Sequence, residues 1–147
     1  VLFAGLIFAA HSAGSGVTLG GKPTPPAPTQ TANLTQTTWT LTRLVVDGRE
    51  QQLVPRRAPT LHFGPPVGQL SGTGSCNSYS SAYTLAGDTL HLSGLSVTQA
   101  RCLSTALMEQ EDAYFRALPR VERYHVDANT LTLTSADGSV QLTFRAN

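Results

Sequence analysis

The chain has 147 residues, of which 40% are hydrophobic and 13% charged, with a formal net charge of +1. That length holds one ordinary domain and a tail, and the near-neutral balance excludes the electrostatic footprint of a nucleic-acid binder. Every basic residue except Lys22 is Arg, and from Trp39 onward nine Arg stand against nine Asp or Glu, so the domain itself is neutral. The excess of Thr, Ser and Leu over Lys and Glu leans towards strands.

Val1–Ala10 (VLFAGLIFAA) is apolar throughout and is followed by small residues. Ten apolar residues are too short to span a membrane. They match the hydrophobic region of a secretory signal with a place for a peptidase to cut, so residues 1–19 read as a signal-peptide-like segment. The competing reading is a buried N-terminal strand or helix. No cysteine follows the apolar run to carry a lipid. Residues 20–37 hold four of the nine prolines and little that is apolar. They cannot bury enough surface to offset ordering entropy, and read as a Pro/Thr-rich disordered linker. Asn33-Leu34-Thr35 fits a short glycosylation acceptor pattern.

The domain is expected over 38–147. Trp39–Val46 alternates apolar and polar positions before Asp47-Gly48, a half-buried strand ending in a turn. Arg49–Pro59 reads as a loop, Thr60–Phe63 as a short strand with Leu61 and Phe63 on one face, and 64–68 as a turn. Gln69–Gly74 is a strand leading into Ser75-Cys76-Asn77. Tyr79–Leu85 and Thr89–Leu92 flank Gly87-Asp88 as a hairpin, with Tyr83, Leu85, Leu90 and Leu92 expected in the core. Ser104 or Thr105 can cap a helix over Ala106–Leu118, whose Leu107, Tyr114, Phe115 and Leu118 share one face. Pro119 stops it. Val121–Val126, Thr130–Thr134 and Val140–Arg145 complete the pattern. About seven or eight short strands and one late helix define a mostly β member of the α+β class: an antiparallel curled sheet or partial barrel with a helix packed on it.

Two segments stand out, Gly72–Tyr79 with Cys76 and Ser96–Cys102 with the second cysteine, 26 positions apart. Taken with Trp39-x-Leu41, Leu61-x-Phe63, Gly74-Ser75-Cys76-Asn77-x-Tyr79, Thr98-x-x-x-Cys102, Glu109 or Glu111 before Phe115 and Leu118, then Tyr124 and Leu131-x-Leu133, the chain resembles the META domain family, to which the heat-inducible protein HslJ belongs. The likeness covers 38–147. Ser75 stands where the family has Gly, and Gln99-Ala100-Arg101 where it often has Met, which puts in doubt any function of a Met-lined surface. The resemblance implies a small envelope or secreted domain, associated with heat response and antibiotic resistance, with no established reaction.

For the cysteines three readings stand: a disulfide, two neighbouring buried thiols, or part of a metal site. Export favours the disulfide between Cys76 and Cys102. A metal needs three or four ligands, and no Cys or His lies near either cysteine in sequence, so no metal or other cofactor is expected. A Cys76 nucleophile would need a base such as His62, His91 or His125, all of which fall in surface register, so no catalytic residue is expected. Gly74, Asn77, Tyr79 and Thr98 are the motif residues expected to hold turns or recognise a partner. The function expected is a non-catalytic, exported periplasmic, envelope or extracellular module that binds an envelope protein or small hydrophobic ligand, with no transmembrane helix in the mature domain. A barrel-like carrier is the alternative, and a Cys-dependent enzyme a weaker one.

Overall fold

Trp39 sets the phase of the first strand, and one bulge resets it. In a computed structural model of the chain, which describes residues 33–64 and 68–147, strand β1 spans Thr38–Val46. The signal-like segment 1–19, the linker up to residue 32 and residues 65–67 of the turn at 64–68 lie outside the described residues. Trp39 and Leu41 point into the core, the register against the last strand then shifts between Leu41 and Arg43, and Leu44 and Val46 become the inward pair. A one-residue bulge is what keeps Arg43 out of the core, where simple alternation would have placed it. Upstream, Asn33 Oδ1 accepts from the Thr35 N–H at 3.1 Å, and the Leu34 carbonyl accepts from the Trp39 indole at 3.2 Å.

Asp47 and Gly48 both have positive φ, 52° and 71°. That is the two-residue hairpin geometry matching strand twist, and it returns the chain as β2 (Arg49–Glu50), a two-residue edge where the sequence suggests only loop. Next come β3 (Thr60–Gly64), β4 (Gln69–Thr73), β5 (Ser78–Ala86) and β6 (Thr89–Val97). Helix α1 (Thr105–Ala117) runs into one 3-10 turn at Leu118–Arg120, and β7 (Arg123–Asp127), β8 (Thr130–Thr134) and β9 (Gln141–Ala146) finish the domain.

The strands pair in the order β1-β3-β4-β5-β6-β7-β8-β9, and β9 pairs back onto β1 from Trp39↔Ala146 to Val45↔Gln141. This closes an eight-stranded antiparallel barrel and removes the exposed edges an open sheet would carry. Its interior is filled: Trp39, Leu44, Leu61, Phe63, Leu131, Leu133, Leu142 and Phe144 are fully buried. One seam is thin. β6 and β7 share a single residue pair, Thr89↔Arg123, and the 3-10 turn with fully buried Leu118 fills the gap beyond it.

Leu85, expected in the core, is 37% exposed. Ser81 is buried, in phase with Tyr79 and Tyr83 on an unbroken β5, and its hydroxyl donates to the Ser93 carbonyl at 2.8 Å where β6 carries an extra residue beside Gly94, φ +66°. Helix α1 starts one residue before the expected span, with Ser104 at its N-cap position making no side-chain cap bond. It buries Ala113, Tyr114 and Ala117 along the stripe of Tyr114 and Leu118, but also Gln110 and Glu111, two polar residues on the same face.

Candidate functional site: the joint at Cys76 and the groove beside it

The loop 74–77 joins β4 to β5 and folds tightly, with the Gly74 N–H donating to the Asn77 carbonyl at 2.7 Å. The two glycines that bracket it are there for space. A Cβ on Gly72 would run into the Thr60 carbonyl and sit 2.8 Å from the Tyr79 hydroxyl. On Gly74 it would lie 2.6 Å from the Phe115 ring and 2.8 Å from Glu111 Oε2. The chain must pass this close because Glu111 reaches from α1 to cap the loop.

Glu111 is 6% exposed, and its carboxylate is held by three N–H donors. Oε2 accepts from the backbone N–H groups of Cys76 and Asn77, both at 2.8 Å, and Oε1 accepts from Asn77 Nδ2. Asn77, equally buried, continues the network to the other motif. Its Nδ2 donates to the Ala100 carbonyl at 3.0 Å, and its Oδ1 accepts from the Thr98 hydroxyl at 2.8 Å and the Ala100 N–H at 2.7 Å. The Thr98 oxygen in turn accepts the Ser78 N–H at 3.1 Å. One carboxylate and one amide thus satisfy the backbone of two loops that could not pair with each other in a ladder.

Cys76 and Cys102 are joined by a disulfide, with Cα atoms 5.7 Å apart. It ties the loop after β4 to the segment just ahead of α1. Closing this loop of about 27 residues stabilises the fold by roughly 3–4 kcal/mol on a chain-entropy argument. Both sulfurs and a Glu111 carboxylate oxygen lie within 4.8 Å of one another. Sequence spacing names no third ligand near the cysteines; the helix supplies one from 35 positions beyond Cys76. No histidine joins this cluster among the described residues. His62 is half-buried, its Nδ1 3.2 Å from the Thr37 carbonyl, and His91 and His125 are exposed.

Behind the joint, Tyr79 donates to the Thr60 carbonyl at 2.8 Å and its hydroxyl lies 2.6 Å from that of Tyr114. Burial pushes both phenols above their usual range, with the Tyr114 neighbour adding to the rise at Tyr79. Gln110 holds the long loop after β2: Nε2 donates to the Arg57 carbonyl at 2.7 Å and to Ser75 Oγ at 2.6 Å, and Oε1 accepts the Val54 N–H. Gln110 belongs to no sequence motif. Its signal is positional, since residues 110 and 111 fall in the i, i+3, i+4 stripe of Leu107, Tyr114 and Phe115.

Outside the disulfide a groove of about 560 Å³ runs between residues 97–102 and α1, lined by Val97, Arg101, Met108, Asp112 and Phe115 among others. Met108 in its lining is 44% exposed, and Leu103, next in the chain to the lining residue Cys102, is fully exposed.

The fold and the joint define a small class of proteins: a closed eight-stranded barrel with one helix, its two cysteine-bearing loops cross-linked at the helix start. The META domain model matches residues 32–147, and the chain belongs to that family. Among solved structures it is similar to a protein from Burkholderia xenovorans determined by NMR, at 26% identity and TM-score 0.66, covering 95% of this chain and 99% of that one. A second NMR structure is also 26% identical, with TM-score 0.56, over 76% of this chain and 90% of the other. A DUF4847 family protein from Bacteroides vulgatus shares the fold at 13% identity and TM-score 0.57, over 78% and 94% of the two chains. No curated protein is similar enough to count as a match.

Proposed function

We propose that this chain is an exported or cell-envelope META domain that works by binding another protein, without catalysis, and supports tolerance of envelope stress or antibiotics. The observation that carries the reading is the packed barrel. Its inward side chains leave the interior to themselves, and the roomy recesses, about 560 and 390 Å³, lie outside the wall between α1 and the loops. A carrier of hydrophobic ligands needs an enclosed apolar cavity of several hundred Å³; the apolar recess against the thin seam is only about 70 Å³. The disulfide agrees with an oxidising compartment, and among the described residues no helix is long and apolar enough to cross a membrane.

The groove beside Cys102 is the surface assigned to the partner, because Leu103 and Met108 are the large apolar side chains exposed there. A photoreactive residue at Met108 is expected to cross-link one defined envelope protein in living bacteria, while the same residue at His125 gives no adduct. Equal labelling from both positions, or a saturable apolar ligand recovered with the purified domain, would overturn the reading.

A further inference from the structure

The 76–102 loop is closed by a disulfide, and the same atoms suit a second chemistry. Two thiolates on one tetrahedral zinc ion lie about 3.8 Å apart, given bonds of about 2.3 Å. Cysteines with Cα atoms 5.7 Å apart reach that separation by side-chain rotation alone. A carboxylate oxygen of Glu111 is already within 4.8 Å of both sulfurs.

Glu111 also has capacity to spare. Oε2 takes two donors and Oε1 only one, Asn77 Nδ2, whereas a carboxylate offers about four acceptor positions. Those same bonds fix the carboxylate in place, as the outer partners of metal ligands do. The groove lined by Cys102, Glu111 and Asp112 opens onto the cluster and gives a cation its entry and room for a water as fourth ligand.

We propose that the protein with its disulfide reduced holds one thiophilic divalent cation, of the zinc or cadmium kind, between Cys76, Cys102 and Glu111. A dithiol reductant supplies the two electrons: the Cys76–Cys102 bond breaks, each sulfur takes a proton from the reductant, and the reductant leaves as its own disulfide. The cation then displaces both thiol protons as two metal–sulfur bonds form. Two thiolates with one carboxylate select a borderline or soft ion over calcium or magnesium. Metal and disulfide exclude each other and close the same loop. This proposal is independent of partner binding at the groove.

The test uses the full chain, reduced with a dithiol, freed of it without air, and titrated with cadmium while the sulfur-to-cadmium absorption band is followed. One cadmium per reduced chain and none in the oxidised chain is the expected result, with Glu111→Gln weakening affinity at least tenfold. X-ray absorption of the reduced wild-type protein with cadmium, expected to show two sulfur ligands and the rest oxygen, decides the matter should the variant fail to fold. No band in a reduced protein that keeps its β-sheet circular dichroism, equal affinity in Glu111→Gln, or four sulfurs drawn from two chains would each overturn the proposal.

Discussion

At the scale of single residues, the molecule depends on a few polar side chains placed where the barrel ladder cannot reach. Glu111 answers three buried N–H groups, so Glu111→Ala leaves them without an acceptor and should cost about 3 kcal/mol or more of unfolding free energy. Glu111→Gln keeps the shape but turns an N–H donor towards other donors, and is expected to cost roughly 1–3 kcal/mol by urea denaturation. Gly74→Ala should cost about 1–3 kcal/mol through overpacking, because the added methyl meets the Phe115 ring and the Glu111 carboxylate. Asp137 accepts from the Ser135 hydroxyl and from the N–H and hydroxyl of Ser139, which hold its carboxyl down at about 2. A depressed carboxyl contributes above its unfolded value and loses that contribution as pH falls from about 4 towards 2, so the Ser135–Ser139 turn should loosen in that window.

The buried tyrosines give the opposite sign. Tyr79 and Tyr114 have phenols raised above the usual value near 10. Below that value both states are protonated and the pair adds no pH dependence. Above it the unfolded chain releases phenolic protons that the folded one retains, so stability falls as pH rises, by about 1.4 kcal/mol per pH unit for each tyrosine. Urea titrations from pH 9 upward are expected to show this slope in the wild type and a shallower one in Tyr79→Phe.

Among the elements, the strands were legible from alternation because one face of each is buried: Leu61/Phe63, Leu131/Leu133 and Leu142/Phe144 fall where period-2 spacing puts them. Alternation fails where a bulge inserts a residue. That is why Leu44 replaces Arg43 on the inner face of β1; Leu85 keeps the inward phase of Tyr79, Ser81 and Tyr83 but lies at the hairpin end of β5, where burial runs out. The two cysteine motifs are visible in sequence, and so is a motif acid at Glu109 or Glu111, but not which of the two it is nor what it binds, and Gln110 carries no signal beyond its place on the helix stripe. Only the packing of α1 over the loop 74–77 shows what they answer. The 3-10 turn that follows the helix covers for the thin β6–β7 seam. The Leu90 N–H reaches the Glu122 carbonyl across it at 2.9 Å, while Leu92, two residues on and facing the same way, is beyond the single β6–β7 residue pair. Amide hydrogen exchange should therefore be markedly faster at Leu92 than at Leu90 or Leu142, and equal protection would show that the seam is closed in solution.

Taken whole, the molecule is a closed barrel whose one irregular end is organised by Cys76, Asn77, Thr98, Cys102 and Glu111. The Gly-rich segment before Cys76 invites comparison with a catalytic loop, yet its glycines make room for Phe115 and Glu111, and its cysteine is spent in a cross-link. Reduction of that cross-link, without added metal, should lower stability by roughly 3–4 kcal/mol in the urea transition. The most direct test of the central claim, that this signature is a joint and the groove outside it the working surface, is the unfolding free energy of Asn77→Ala. Four side-chain hydrogen bonds link Asn77 to Thr98, Ala100 and Glu111, so the account predicts a loss of roughly 2–4 kcal/mol. A variant as stable as the wild type, with partner binding abolished, would make Asn77 a recognition residue and contradict it.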